Sequence, residues 1–220
     1  MSLRDARLAI VAAGQALYAE GLVLGTAGNL SVRGTAPGTM LVTPTNLAYD
    51  EMTPDDLVVI TYDGDPVDGE RLPSSESLLH GAIYRARPDV HAVVHAHPLY
   101  ASVCAVRHET IPALLDEQVV YVGGPIEVSS YASPGTDELA ANAVVGLGTR
   151  AAVLLANHGC VTVGRTPDEA LAITRLVERI AHIWVLASAR PGAYSLDDAI
   201  VRDEMALYEM LRQSKELDAT

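Results

Sequence analysis

The stretch Ala151–Val163, AAVLLANHGCVTV, predicts two short β-strands on either side of a turn. The apolar runs Ala151–Ala156 and Cys160–Val163 are typical of strands, and the intervening Asn-His-Gly is typical of a tight turn. Strands joined by so short a turn pair antiparallel, because a parallel pair needs a long crossover. Working outward, Leu57–Tyr62 and Pro66–Glu70 predict a second hairpin. The sequence therefore indicates a largely antiparallel sheet.

Further strands and several helices complete this pattern. Val90–His97 predicts another strand, and a strand or strand pair is expected over Val119–Val128. Helical spacing and capping residues predict helices at about Asp5–Glu20, Ser75–Arg87, Thr136–Leu147, Thr166–Ala189 and Ser195–Arg212. The expected fold class is α/β in three layers, with helices covering the sheet. No linker-like segment interrupts the chain, so we expect a single domain over residues 1–220.

The composition narrows the possible functions. The chain has 220 residues, with 15 Lys and Arg against 28 Asp and Glu, and a net charge of −13. Such a chain repels phosphate backbones and anionic lipid, so neither a nucleic-acid nor a membrane partner is expected. No apolar run reaches the roughly 18 residues of a membrane helix. The one lysine, Lys215, lies five residues from the C-terminus, which argues against Schiff-base catalysis.

Cysteine usage and the N-terminal segment bear on the cellular compartment. The two cysteines, Cys104 and Cys160, are too few for a disulfide scaffold and form no CxxC motif. The N-terminal segment lacks the long apolar core of a secretion signal. We therefore expect a cytoplasmic protein.

The chain has seven histidines and one lysine, and the most informative histidine motif is His95-Ala96-His97. Residues i and i+2 of a strand point to the same face, so both imidazoles can converge on one metal ion. Two hydrogen-bonded surface histidines are an equally good interpretation of this pattern alone. His158 lies in the predicted hairpin turn, where Gly159 permits a left-handed backbone. It becomes a third candidate ligand because catalytic zinc commonly takes three protein ligands.

Glu76 lies at the start of the helix predicted from Ser75. Acids are common in a first turn because they complement the helix dipole, but a carboxylate near three histidines can also act as fourth ligand or general base. His80, one turn later, is interpreted as a packing residue. The remaining histidines, His91, His108 and His182, are interpreted as background. Two loops, Gly25–Ser31 and Thr43–Asn46, are ordinary turns when considered alone, although the first could form an anion-binding nest.

Five short motifs occur in an order that resembles the class II aldolase/adducin family. From the N-terminus they are Gly28–Arg33, Thr43–Thr45, Pro73–Glu76, His95–Pro98 and Asn157–Gly159. The resemblance runs from about Leu8 to the final helix and so covers nearly the whole chain. It implies a three-layer α/β/α fold with a mainly antiparallel central sheet, and a homotetramer with active sites at subunit interfaces.

The resemblance also implies the site residues. The matching positions make His95, His97 and His158 the ligands of a divalent metal, usually Zn²⁺, and Glu76 the acid/base residue that can also ligate it. The phosphate of a small-molecule sugar phosphate would be held at Gly28, Asn29, Thr43, Ser74 and Ser75. The implied reaction of carbohydrate metabolism is cleavage of a phosphorylated ketose, such as L-fuculose 1-phosphate, to dihydroxyacetone phosphate and an aldehyde through a metal-stabilised enediolate.

The sequence departs from the family pattern in two places. Asp116 stands about where the family has a tyrosine that assists the proton on the aldehyde oxygen, so Asp116, Tyr121 and Tyr208 are the candidate proton donors. Asn46 replaces a glycine that follows the Thr-Pro-Thr segment. Because of these departures, the alternative interpretation is a decarboxylase or an epimerase that acts on a related sugar (acid) phosphate with the same metal site. A non-catalytic adducin-like module is the third interpretation.

Overall fold

An eight-stranded sheet with the order β4-β3-β2-β1-β5-β8-β7-β6 forms the centre of the structure. The computed structural model describes residues 2–217 of the chain, with side chains through residue 213. The strands are β1 Asn29–Arg33, β2 Thr39–Val42, β3 Val58–Thr61, β4 Pro66–Asp68, β5 Ala92–Ala96, β6 Val128–Ser129, β7 Ala152–Leu155 and β8 Gly159–Gly164. Neighbouring strands are antiparallel except for β6 and β7, which are parallel. The predicted α/β fold with a mainly antiparallel sheet is confirmed.

Seven helices of the described chain cover this sheet. They are α1 Leu3–Ala19, α2 Ser77–Ala86, α3 Leu99–Arg107, α4 Asp116–Val122, α5 Asp137–Leu147, α6 Pro167–Ser188 and α7 Asp198–Leu217. Helix α6 packs on α1 and α3 and on strands β5 and β8, whereas α2 packs on α5, which covers β6 and β7. Within residues 2–217 no helix is long and apolar enough to cross a bilayer. The expectation of one domain over residues 1–220 stays a prediction, and residues 1 and 218–220 lie outside the described part.

The strand predicted over Val119–Val128 is wrong in its first half. Residues Asp116–Val122 form helix α4, and β6 contains two residues, Val128 and Ser129. Two acids in the first turn stabilise this helix, because their negative charge interacts favourably with the helix dipole. Gly123, with φ +93°, adopts the left-handed conformation that ends the helix. Val119 and Val122 are three positions apart and both fully buried, so packing of one helical face outweighs the β-propensity of valine.

Other boundaries shift by a few residues. Ser75 does not cap α2, because the N-cap position is Glu76 and the helix begins at Ser77. Helix α7 begins at Asp198 rather than at Ser195. Helix α3, which follows the His-Ala-His-Pro motif, was not predicted because its start has no polar capping side chain: Pro98 occupies the N-cap position. Instead the Glu178 carboxylate of α6 accepts hydrogen bonds from the first backbone amides of α3.

Candidate active site

Strand β5, in the middle of the sheet, places His95 and His97 at its C-terminal end. His95 is the fourth residue of β5 and is fully buried, and His97 follows the end of the strand. Asn29 of β1 pairs directly with His95, so the two side chains emerge on the same face. The His97 backbone amide donates to the Leu22 carbonyl at 3.1 Å, which holds the residue after the strand has ended.

The turn between β7 and β8 brings His158 to the same place. Asn157, with φ +56°, supplies the left-handed residue of this turn, so the expectation that Gly159 does so is wrong. Gly159 is required for another reason: a Cβ atom there would lie 2.4 Å from the Ala96 carbonyl oxygen and 2.6 Å from His97 Cδ2. The missing side chain allows the turn to approach β5 closely. His158 thereby reaches His95, with ring centroids 4.6 Å apart.

The three imidazoles form one compact cluster. One nitrogen from each of His95, His97 and His158 lies within 4.8 Å of the other two. The Nε2 atoms of His95 and His97 are 2.9 Å apart, and His95 Nδ1 lies 2.9 Å from the Cys160 carbonyl oxygen. A carbonyl only accepts, so Nδ1 of His95 carries the proton and its Nε2 presents a lone pair to the cluster.

Glu76, at the N-cap of α2, completes the cluster. Its Oε2 is 3.2 Å from His95 Nε2, and its Oε1 is 3.5 Å from His158 Nε2. The Asn29 carboxamide donates to Glu76 Oε2 at 3.1 Å. Glu76 is buried, with 8% of its surface exposed, although charged side chains are rarely buried without partners. The predicted grouping of Glu76 with the histidines is therefore present in space.

The protonation states suit metal binding. Burial would raise the pKa of Glu76, but the protonated form of His95, through its hydrogen bond and charge, and then the protonated form of His158, through its charge, lower it to about 2. Burial lowers the pKa of His97 and of His158 to about 4, and the neighbouring His95 adds to the effect. At neutral pH Glu76 is a carboxylate, and His97 and His158 are neutral imidazoles with lone pairs.

These residues fit a divalent metal ion. Within the described chain, Glu76 Oε1 and His158 Nδ1 are buried without a hydrogen-bond partner, which is costly unless another group satisfies them. Nitrogen and carboxylate oxygen ligands are those that zinc and similar ions take in proteins. The cluster can therefore hold a divalent cation between the histidine nitrogens, with Glu76 Oε1 beside it.

The predicted phosphate-binding residues lie on loops that are hydrogen bonded to one another. Thr43 Oγ1 accepts from the Leu30 amide at 3.1 Å, and the Thr43 carbonyl accepts from the Ser74 amide at 3.1 Å. Ser74 Oγ accepts from the Glu76 amide at 3.3 Å. Both hydroxyl oxygens thus act as acceptors within the fold, which leaves their protons to donate to an anion. Ser75, beside them, is exposed.

Two backbone conformations support this loop geometry. Gly28 has φ +77°, and a Cβ atom there would lie 2.7 Å from the His95 carbonyl oxygen, so the loop needs glycine. Asn46, which replaces a family glycine, has φ +55°. Asparagine tolerates the left-handed region better than most residues, so the substitution is compatible with a glycine-type turn.

The three candidate proton donors lie elsewhere in this chain. Asp116 is in the first turn of α4, with its carboxyl against Glu204 of α7. Tyr208 of α7 donates to the Thr149 carbonyl at 3.0 Å, and Tyr121 of α4 is 56% exposed. Tyr121 and Tyr208 share a groove between α4, α6 and α7. The structure therefore brings the histidines, Glu76 and Asn29 together but places these three residues around α4 and α7.

His80 contributes more than its interpretation as a packing residue suggested. It is fully buried, but its ring nitrogens lie within hydrogen-bond distance of Ser31 Oγ, at 2.6 Å, and of Asn29 Oδ1, at 2.5 Å. Burial lowers the pKa of His80 to about 3, so the ring is neutral at physiological pH. The signal in the sequence was the spacing of four residues between Glu76 and His80, which places both on one helix face.

The chain is similar to known proteins over most of its length. The family model described as Class II Aldolase and Adducin N-terminal domain matches residues 8–185. The 5-deoxy-D-ribulose 1-phosphate aldolase of Bacillus thuringiensis serovar kurstaki is 36% identical over 184 residues, which cover 84% of this chain and 86% of the relative. The L-fuculose phosphate aldolase of Escherichia coli strain K12 is 36% identical over 192 residues, which cover 86% of this chain and 88% of the relative.

The fold is also similar to solved structures. A structure of L-fuculose 1-phosphate aldolase superposes with a TM-score of 0.87 at 36% identity. The superposition covers 94% of this chain and 96% of that chain. The similarity therefore extends over nearly the whole chain.

Proposed function

The chain belongs to the class II aldolase and adducin family, and from this premise we propose that it cleaves a ketose 1-phosphate to dihydroxyacetone phosphate and an aldehyde. Its relatives are named aldolases, and the chain is a lyase of this family. Class II aldolases use a divalent metal, and the histidine cluster is a possible site for one. The finer identity of substrate and metal is part of the proposal.

One observation carries the proposal: a buried carboxylate meets three imidazoles. Glu76 Oε2 lies 3.2 Å from His95, while Oε1 faces His158 and has no hydrogen-bond partner among the described residues. A structural ion pair would satisfy both oxygens, whereas a catalytic carboxylate needs one oxygen to reach substrate. This arrangement supports Glu76 as the residue that carries a proton.

The chain's own residues divide the work in this proposal. In cleavage, the substrate C4 hydroxyl loses its proton, the C3–C4 bond breaks with its electrons left on C3, and C3 takes up a proton. Because Glu76 is a carboxylate in the resting site, we expect it to take up the proton that leaves the C4 hydroxyl, directly or through the second proton-transfer residue, and then to give a proton to C3. In the reverse direction it would remove the proton from C3. A divalent ion, proposed to be Zn²⁺, would be held by His95, His97 and His158 and would supply a Lewis acid that stabilises negative charge on the substrate carbonyl oxygen.

The substrate phosphate would lie in the loops beside Glu76. The hydroxyl protons of Thr43 and Ser74 can donate, and we expect the backbone at Gly28, Asn29 and Ser75 to add further donors. The chain has a net charge of −13 and as a whole repels a phosphate. Neutral hydrogen-bond donors close to the phosphate would still bind it locally. A homotetramer with sites at subunit interfaces, a cytoplasmic location and the role of Asp116, Tyr121 or Tyr208 as proton donor stay predictions.

The test is a direct assay of aldehyde and dihydroxyacetone phosphate release. Candidate substrates are L-fuculose 1-phosphate and 5-deoxy-D-ribulose 1-phosphate, with a keto-acid sugar phosphate included to detect carbon dioxide release. We expect cleavage of at least one ketose 1-phosphate, loss of activity with a chelator, and recovery when Zn²⁺ is restored. Activity that survives complete metal removal would contradict the mechanism, and carbon dioxide release alone would identify a decarboxylase. A protein that binds no divalent metal would indicate a non-catalytic module.

A further inference from the structure

A buried chain of hydrogen bonds leads from Glu76 away from the histidine cluster. It alternates between α2 and β1. Glu76, His80 and Tyr84 are spaced by four residues along α2, and Asn29 and Ser31 by two residues along β1. Each spacing places its members on one face of its element, so the two rows can interdigitate. All five are buried: Glu76 is 8% exposed, Asn29 3%, and the others 1% or less.

The distances make the chain continuous. Asn29 Nδ2 lies 3.1 Å from Glu76 Oε2, and Asn29 Oδ1 lies 2.5 Å from His80 Nε2. His80 Nδ1 lies 2.6 Å from Ser31 Oγ, and Ser31 Oγ lies 2.8 Å from Tyr84 Oη. Both ring nitrogens of His80 and both ends of the Asn29 carboxamide therefore have partners. A polar network that is satisfied in this way is rigid, because any rearrangement leaves a buried polar group unpaired.

The carboxylate at one end determines the direction of every bond. An ionised carboxylate only accepts, so Asn29 must turn its NH2 group towards Glu76 and its carbonyl oxygen towards His80. That oxygen also only accepts, so His80 Nε2 must carry the ring proton and Nδ1 must be bare. Ser31 then donates to Nδ1, and its oxygen accepts from the Tyr84 hydroxyl. Donation runs from Tyr84 to Glu76 without a reversal.

We propose that His80 is a positioning residue for the reaction: by donating from Nε2 it holds the Asn29 carboxamide in the orientation that aims Glu76 at the substrate. A flipped carboxamide would place its oxygen against the Glu76 carboxylate, and the repulsion would displace that side chain. Among the described residues, the side-chain hydrogen bonds of His80 go to Asn29 and Ser31 and not to the histidine cluster. The inference rests on the proposed function, because it assigns Glu76 the proton transfer that positioning serves.

Two substitutions separate positioning from packing. In His80→Gln the side-chain amide can donate to Asn29 and its carbonyl can accept from Ser31, so the chain is kept. In His80→Leu both bonds are lost while apolar volume remains.

We expect His80→Leu to lower kcat by about 10- to 100-fold, because a displacement of a catalytic group by about 1 Å lowers the rate by up to about that factor. KM should stay within about twofold, since the substitution leaves the Thr43 and Ser74 hydroxyls and the backbone at Gly28, Asn29 and Ser75 in place, and His80→Gln should recover most of kcat. His182→Leu, at an exposed histidine of α6, is the matched control and should leave kcat unchanged.

A second measurement does not depend on aldolase activity. In the metal-loaded protein, nitrogen-15 NMR of the histidine rings should show His80 protonated at Nε2 and bare at Nδ1. Crystal structures of the two variants should show Glu76 displaced in His80→Leu and in place in His80→Gln, both at full metal content. The opposite tautomer, an unmoved Glu76 in His80→Leu, or equal losses of kcat in both variants would overturn the proposal. If the wild type cleaves no ketose phosphate, the proposed function fails, and the tautomer and the Glu76 position still decide the positioning.

Discussion

Three clustered histidines lie on one side of Glu76 and a single histidine, His80, lies on the other. They differ in whether their ring nitrogens have hydrogen-bond partners. In the cluster, the Nε2 atoms of His95 and His97 face each other at 2.9 Å, and His158 Nδ1 lacks a hydrogen-bond partner among the described residues. His80, on the other side, has Asn29 and Ser31 at its two nitrogens. The first arrangement leaves lone pairs for an ion, and the second leaves none. The surroundings of each ring therefore decide whether a histidine can offer a lone pair to an ion or only hydrogen bonds within the fold.

The difference also explains the position of Glu76. It touches the cluster through both oxygens and the hydrogen-bond chain through Asn29. One side can supply the positive charge of a bound metal ion, and the other a fixed hydrogen-bond donor. A carboxylate held from both sides loses little orientational freedom when substrate binds, which is the benefit of preorganisation. Each of the following predictions changes one side of the site, or Glu76 itself, and leaves the rest in place.

The largest effect is expected from His95→Ala. The alanine cannot ligate, so bound divalent metal and aldolase activity should both fall to background, while the His80 side of the site stays intact. Metal analysis of the purified variant together with the cleavage assay measures both. Full metal content with lost activity would show that His95 has been wrongly assigned as a ligand.

Glu76→Gln should come next. Glutamine keeps the acceptor for Asn29 and nearly the same volume but cannot carry the substrate proton, so kcat should fall by about 10² to 10⁴, the range for loss of a general acid–base group. The three histidines remain, so metal should still bind. Steady-state kinetics on the metal-loaded variant measure the effect, and a kcat close to that of the wild type would remove Glu76 from the chemistry.

A smaller effect is expected on the pH dependence of the free energy of unfolding, because His80 is a buried neutral ring. Its pKa falls from the ordinary 6.5 to about 3 because of burial, so the unfolded chain binds the extra proton between these values. The contribution of His80 to the free energy of unfolding is therefore full above pH 6.5 and is lost as the pH falls. His80→Gln should remove up to about 1.4 kcal/mol per pH unit of this dependence between about pH 6.5 and 4.5.

Urea unfolding of the metal-free wild type and His80→Gln across that pH range measures the difference. His97 and His158, whose pKa values are also lowered, are present in both proteins and cancel. Parallel curves for the two proteins would show that His80 titrates in the folded state as it does in the unfolded one.

The smallest effect is expected from Tyr84→Phe. It removes the first donor of the chain and leaves Ser31 still able to donate to His80, so the cost should be about 1 kcal/mol of unfolding free energy. The loss of kcat should be smaller than in His80→Leu. Tyr62→Phe is the matched control, since Tyr62 stacks on Tyr84 but bonds to Arg33 outside the chain. An equal loss of kcat in both tyrosine variants would point to general loosening of α2.

Much of the fold could be predicted where local pattern and tertiary packing agree. The hairpin of β7 and β8 has strong strand residues on both sides of a turn, and helix α6 is capped by Thr166, whose hydroxyl accepts from the Glu169 amide. The segment around α4 could not be predicted, because a run of valines favours a strand locally. Only burial of Val119 and Val122 on one helical face decides otherwise.

The sequence by itself determined which groups can carry chemistry. One lysine near the C-terminus argues against an imine mechanism, the spacing of His95 and His97 places two imidazoles on one strand face, and the order of five motifs indicates the family. Strand and helix periods are local properties, so they can state which face a side chain is on. They cannot state what lies opposite that face.

The tertiary structure decided what each group meets. His158 joins His95 because β8 pairs with β5, and His80 meets Asn29 because side chains of α2 reach those of β1. These contacts join residues about 50 to 65 positions apart. At that separation a residue's partners depend on strand order and helix packing. For that reason the sequence could identify the histidines as candidates, but only the fold could separate the three with open nitrogens from the one whose nitrogens are both satisfied.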